Sequence, residues 1–179
     1  ELEGVHSRTD YDLGQHTKFS GKDLTYLDPE TNERYIPYVV ETSAGLTRNV
    51  LMALSDAYDE EPTPEGDTRT VMHFHPLIAP VKVAVLPLVK KDGLGEYASN
   101  LEHSLRDEFT TFFDQSGAVG RRYRRQDEIG TPYCVTVDYQ TLQDHTVTVR
   151  FRDSMKQERV AVDNLVPFIK EAIKNYRRV

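Results

Sequence analysis

The chain has 179 residues, of which 38% are hydrophobic, and a mean hydropathy of −0.58. That is enough for one domain of ordinary size, or a small domain plus part of another. No run approaches the roughly 20 consecutive apolar residues of a membrane helix and no signal peptide opens the chain, so a membrane partner is excluded. The single cysteine, Cys134, excludes an internal disulfide framework and favours a cytoplasmic setting. Its neighbours Tyr133, Val135 and Val137 read as a strand, so it is expected to be a small buried hydrophobe. The net charge of −7 weighs against a nucleic-acid partner, but the average hides an asymmetry. Residues 1–78 hold 6 basic and 15 acidic side chains, a balance of −9, and residues 79–179 hold 16 and 14, a balance of +2. Any nucleic-acid surface belongs in the second part. A chain that begins at Glu1 without a methionine reads as a piece of something longer.

Arg8, Asp10 and Asp12 are dense charges in a short span and are expected to form structural salt links. Tyr35 to Glu41 is a short apolar run suited to a buried strand. Ser43-Ala44-Gly45 breaks it, and Leu46, Val50, Leu51 and Leu54 then fall at helical spacing. The unit is strand, tight turn, helix, with Glu41 at the strand end and Arg48 in the first helical turns. Asp56 to Asp67 is acidic, contains Pro62, Pro64 and Gly66 and lacks periodicity, so it reads as a loop or linker. Val71 to Phe74 reads as a strand, which places the domain boundary near Ala79-Pro80. His73 and His75 alternate on that strand, but no third ligand lies nearby in sequence, so no metal is assigned.

Val81 to Val89 predicts a strand. Leu94, Tyr97, Leu101, Leu105, Phe109 and Phe112 step by three or four and predict an amphipathic helix. Arg121 to Ile129 reads as a short charged helix, stopped by Gly130-Thr131-Pro132. Strands follow at Tyr133–Val137, 146–152 and 158–161, and Asp163 is placed as the cap of a final helix. Strands mixed with helices of this length imply an α/β layered domain. The densest basic cluster, Arg121-Arg122-Tyr123-Arg124-Arg125, interleaves an aromatic with cations, as recognition of single-stranded nucleic acid requires.

Several segments in order resemble the dimeric glycyl-tRNA synthetases of class II. They are the stretch 1–13 with its Arg8-Thr9-Asp10-Tyr11-Asp12-Leu13, the segment Glu41-Thr42-Ser43-Ala44-Gly45-Leu46-Thr47-Arg48 that resembles motif 3, and residues 121–132 and 150–155 that resemble the anticodon-binding domain. Thr42 stands where the family often has Pro, and Thr47 where it often has Asp. Motifs 1 and 2 have no counterpart here, so the chain alone is not expected to aminoacylate.

The resemblance implies a fold: residues 1–78 as the end of an antiparallel-sheet class II catalytic domain with motif 3 and linker, and 79–179 as a class IIa anticodon-binding domain, a mixed sheet flanked by helices. It implies activation of glycine with ATP and Mg2+ and transfer to tRNA(Gly) by a cytoplasmic homodimer. Glu41, Thr42, Ser43, Ala44 and Gly45 would line the glycine pocket, with the Glu41 carboxylate pairing the ammonium and Ser43 adding a hydroxyl. Glu1, Leu2, Gly45, Leu46, Thr47 and Arg48 would contact ATP. Arg48 is the catalytic candidate, because a guanidinium stays charged and offers forked donors to phosphate. On the anticodon side, Asp127 or Glu128 could accept from cytosine N4, and Arg124, Arg150 and Arg152 are phosphate candidates. The competing reading is a non-catalytic synthetase-like accessory subunit that binds nucleic acid. Retention of Glu41, Ser43, Gly45 and Arg48 argues against it.

Overall fold

A computed structural model describes residues 2–63 and 66–177. The chain divides into two compact units, Glu1–Met52 and Ala53–Val179.

In the first unit β1 (Glu3–Thr9) pairs antiparallel with a strand at Val39–Ala44, in a register that sets His6 opposite Glu41 and Gly4 opposite Ser43. Helix α1 (Tyr11–Ser20) follows β1 and ends at Gly21, whose φ of 69° supplies the left-handed cap. Two short strands, β2 (Tyr26–Leu27) and β3 (Arg34–Tyr35), form a small ribbon, and β4 is Val39–Ala44. The run from Tyr35 to Glu41, expected as one buried strand, is broken by Ile36–Tyr38, and Tyr35, Tyr38 and Val40 are exposed. The physical reason is that a two-stranded sheet has no second layer to cover an apolar face. Helix α2 (Leu46–Ala57) opens directly after Gly45, with the Asn49 amide donating to Gly45 O at 3.0 Å.

The second unit opens differently from its acidic composition. The segment expected as a loop is a hairpin, β5 (Tyr58–Pro62) against β6 (Thr68–Met72), with Glu61 opposite Arg69. A mixed five-stranded sheet follows, in the order β11-β10-β9-β7-β8. Its strands are β7 (Val83–Pro87), β8 (Thr111–Phe113), β9 (Tyr133–Val137), β10 (Thr146–Phe151) and β11 (Gln157–Ala161). β7 runs parallel to both β8 and β9, and β10 is antiparallel to β9 and β11. Every residue of β7 and β9 is buried, as strands covered on both faces require.

Alternation sorts their side chains. Val83, Val85, Tyr133, Val135 and Val137 meet helices α3 (Leu94–Leu105) and α6 (Leu165–Lys174) on one face. Ala84, Leu86 and Cys134 meet Tyr123 of α4 (Val119–Ile129) on the other. A short helix α5 (Thr141–Asp144) links β9 to β10. The helix expected to carry Phe109 and Phe112 stops at Leu105, and Phe112 belongs to β8, so that segment is corrected. Asp163 lies in a 3-10 turn over 162–164 and makes no capping bond, so its expected role is also corrected.

Candidate functional site

In the first unit, strand, turn and helix follow in the expected order, but the strand runs on through Ser43 and Ala44, so Glu41 lies in mid-strand and not at the strand end. Glu41 and Ser43 share one face of β4 by the two-residue period, Gly45 is the turn, and Arg48 lies in the first turn of α2. Gly45 holds an ordinary backbone conformation, and a Cβ built there would meet only Arg48 Cβ at 3.5 Å. Leu2, Thr42, Ser43, Ala44, Gly45, Leu46, Thr47 and Arg48 are exposed, and Glu41 is half-buried. Glu1 lies outside the described residues. The Arg8 Nε donates to Asp12 at 2.8 Å and stands 3.6 Å from Glu41, so two of the three charges expected in salt links, Arg8 and Asp12, form one. Asp12 is held below the usual carboxylate range, chiefly by its hydrogen bond from Arg8. The arrangement thus sets a carboxylate, a hydroxyl and a guanidinium along one strand, turn and helix.

In the second unit, the charges expected on an RNA surface separate into two classes. Arg124 is half-buried and Glu128 exposed. Asp127, Arg150 and Arg152 are buried and pair inward, which corrects their assignment as RNA contacts. Arg150 donates to Asp127 through Nη1 at 2.7 Å and Nη2 at 2.9 Å, and its guanidinium lies 4.9 Å over the Tyr123 ring. Arg69 of β6 donates to the same carboxylate at 3.1 Å and to Arg152 O at 2.9 Å, and pairs with Glu61. Arg152 donates to Gly130 O at 2.8 Å and to Asp153 at 2.6 Å. Burial acts to raise the Asp153 carboxyl, but the Arg152 guanidinium and His73 outweigh it and hold it below its ordinary value. A buried charge requires such partners. These residues therefore bind the hairpin and α4 to the sheet.

Arg122, also buried, has a different task. Its Nη1 donates to Pro87 O and to Asp114 O, and its Nη2 donates to Leu88 O at 3.2 Å. It pins together the chain ends leaving β7 and β8. The arginine run thus alternates by helical face: Arg122 points inward, while Arg121 and Arg125 are exposed. Burial pushes the Cys134 thiol up to about 12, as expected of an inert core cysteine.

Three parallel strand ends, β7, β8 and β9, lie side by side in this sheet. In open α/β sheets ligands bind outside the carboxyl ends of the strands, where the order reverses. The connections there carry exposed Leu88, Val89, Lys90 and Lys91 after β7, and Tyr139 and Gln140 after β9. The Tyr139 hydroxyl donates to Asp92 at 2.8 Å, tying the two loops together. The sequence reading passed over Lys90 and Lys91, although a basic pair at the end of an apolar strand was a visible signal.

The model of the anticodon binding domain family matches residues 82–172. Over 99% of its length the chain is 61% identical to the glycine–tRNA ligase of Treponema denticola, of which it covers 41%. It is 60% identical to that of Clostridium kluyveri, covering 37%, and 56% identical to that of Borreliella burgdorferi, covering 40%. The chain thus spans about two fifths of the length of these relatives. Among the described residues no helix is long and apolar enough to cross a membrane. With a mixed sheet flanked by helices over the matched residues, this chain belongs to the anticodon binding domain family.

Proposed function

We propose that this chain serves a glycine–tRNA ligase, with residues 1–78 contributing motif 3 of the catalytic domain and 79–179 gripping the anticodon of tRNA(Gly). The observation that carries the reading is the 61% identity to a glycine–tRNA ligase over nearly the whole chain, joined to the strand–turn–helix that displays Glu41, Ser43 and Arg48. Glycine has no side chain to recognise, so its site must hold an ammonium and a carboxylate and exclude bulk. The Glu41 carboxylate takes the ammonium, and the Ser43 hydroxyl adds a bond from the same strand face. Arg48 neutralises ATP phosphate, with backbone N–H groups of the α2 start favouring the same anion. ATP enters as its magnesium complex. The exposed apolar face of the β1–β4 ribbon fits the edge of a larger antiparallel sheet, in a cytoplasmic homodimer.

For RNA, the surface is the row of strand ends. Lys90 and Lys91 meet phosphate, and Tyr139 offers a ring on which a splayed base can stack. Two measurements test this. ATP–pyrophosphate exchange on the longer protein should depend on glycine, and Glu41→Gln or Arg48→Ala should lower it by about 100-fold or more. Fluorescence anisotropy with a tRNA(Gly) anticodon stem-loop should show K90E/K91E binding about tenfold or more weakly, with a shallower salt dependence. Unchanged stem-loop affinity in that double variant would remove the strand ends as the RNA surface.

A further inference from the structure

The β5–β6 hairpin carries a cluster that neither glycine activation nor anticodon binding uses. Asp59 and Glu61 project from the same face of β5, two residues apart. His73 follows β6, its backbone N–H donating to Ala57 O at 2.7 Å. One ligand atom from each of Asp59, Glu61 and His73 lies within 4.8 Å of the other two.

The His73 ring meets a carboxylate at both nitrogens: Nδ1 lies 2.7 Å from Asp153 and Nε2 lies 2.8 Å from Glu61 Oε1. A neutral imidazole has one N–H. With that N–H directed at Asp153, Nε2 turns a lone pair toward the Glu61 carboxylate, and a positive centre is required between them. Both carboxylates are also held by a guanidinium: Arg152 bonds both oxygens of Asp153, including the one that meets His73, and Arg69 bonds Glu61 on the oxygen away from His73. Asp59 adds a third carboxylate, exposed, with an oxygen within 4.8 Å of a ligand atom of both Glu61 and His73.

We propose that Asp59, Glu61 and His73 form a divalent-cation site, best fitted by zinc, that clips β5 to the chain leaving β6. One imidazole nitrogen and two carboxylate oxygens, with water in the fourth position, is a zinc ligand set. Asp153 on Nδ1 is the outer carboxylate that fixes the ring and leaves Nε2 as ligand. Metal bonds of about 2.0–2.2 Å set ligand atoms roughly 3.4 Å apart. Nε2 and Oε1 therefore separate slightly, and Asp59 closes in. The proposal does not depend on the tRNA reading.

Calorimetric titration of zinc chloride into the purified chain near neutral pH tests it. One zinc binds per chain, magnesium gives no comparable heat, and Asp59→Asn weakens zinc binding by about tenfold or more. Asp59 is exposed, so that variant keeps the fold, which circular dichroism confirms. X-ray absorption at the zinc edge shows one nitrogen among oxygen neighbours, and His73→Gln removes it. Absence of zinc uptake overturns the proposal. Uptake that D59N leaves unchanged, or an all-oxygen shell, also overturns it and marks an adventitious ion only.

Discussion

Asp127→Asn separates a structural from a recognition role for the arginine-rich segment. The Asp127 carboxylate is fully buried and receives two bonds from Arg150 and one from Arg69, both buried. Removing its charge leaves two guanidiniums facing each other with no anion between them. Breaking a buried pair by deleting one partner costs roughly 3–5 kcal/mol, and the asparagine oxygen, which keeps one acceptor, puts this case near the lower end. A domain holds only about 5–15 kcal/mol in total, so the loss is a large share of it. Urea unfolding followed by tyrosine fluorescence reads it directly, since the chain has ten tyrosines and no tryptophan. The midpoint should fall with the slope unchanged. If the proposed tRNA reading holds, the folded fraction should discriminate among anticodon stem-loops as the parent does. A variant within about 0.5 kcal/mol of the parent that nonetheless loses that discrimination would refute the reasoning and return Asp127 to the RNA surface.

Two other substitutions probe the same unit. Burial pushes the Glu102 carboxyl up, but bonds from Arg106 and Thr111 outweigh that and hold it below its ordinary value. A carboxyl depressed in the folded state stabilises above the unfolded pKa of about 4.3 and loses that contribution as pH falls through the folded value. Melting temperature against pH should therefore drop less steeply below about pH 4 in Glu102→Gln than in the parent, with about 1–2 kcal/mol lost at neutral pH. Gly130 caps α4 at φ 81°, and a Cβ there would stand 2.5 Å from Phe74 Cδ2 and 2.8 Å from Met72 O. Gly130→Ala should lose at least about 2 kcal/mol in the same urea assay, and a neutral result would mean that the 72–74 backbone yields freely.

Strong periodicity made much of the second unit legible. β7, β9 and β10 lie within the predicted strands, and the stop at Gly130 coincides with a left-handed cap. The β5–β6 hairpin was not legible, because Asp59, Glu60 and Glu61 carry no apolar alternation and their pairing depends on Arg69 reaching Asp127, 58 residues away. β8 was hidden for a related reason: Phe109 and Phe112 continue the helical spacing of α3, and only the parallel pairing of Thr111–Phe113 with β7 draws the chain into the sheet.

Charge was the least readable feature, and the reason bears on how the domain works. A run such as Arg121 to Glu128 reads as solvated, yet three of its members point inward: Arg122 to carbonyls at the ends of β7 and β8, Gln126 to the Thr131 hydroxyl, and Asp127 into the buried arginine network. An aliphatic residue at position 122 could pack against β7 but could not bond Pro87 O, Leu88 O and Asp114 O at once. Of these, Leu88 O belongs to the loop that carries Lys90 and Lys91, Pro87 O to the end of β7 and Asp114 O to the chain leaving β8. A single α4 thus supplies both the exposed cations Arg121 and Arg125 and the buried guanidinium that holds the chain leaving β7 and β8, so that the surface proposed for RNA is held by bonds within the domain itself.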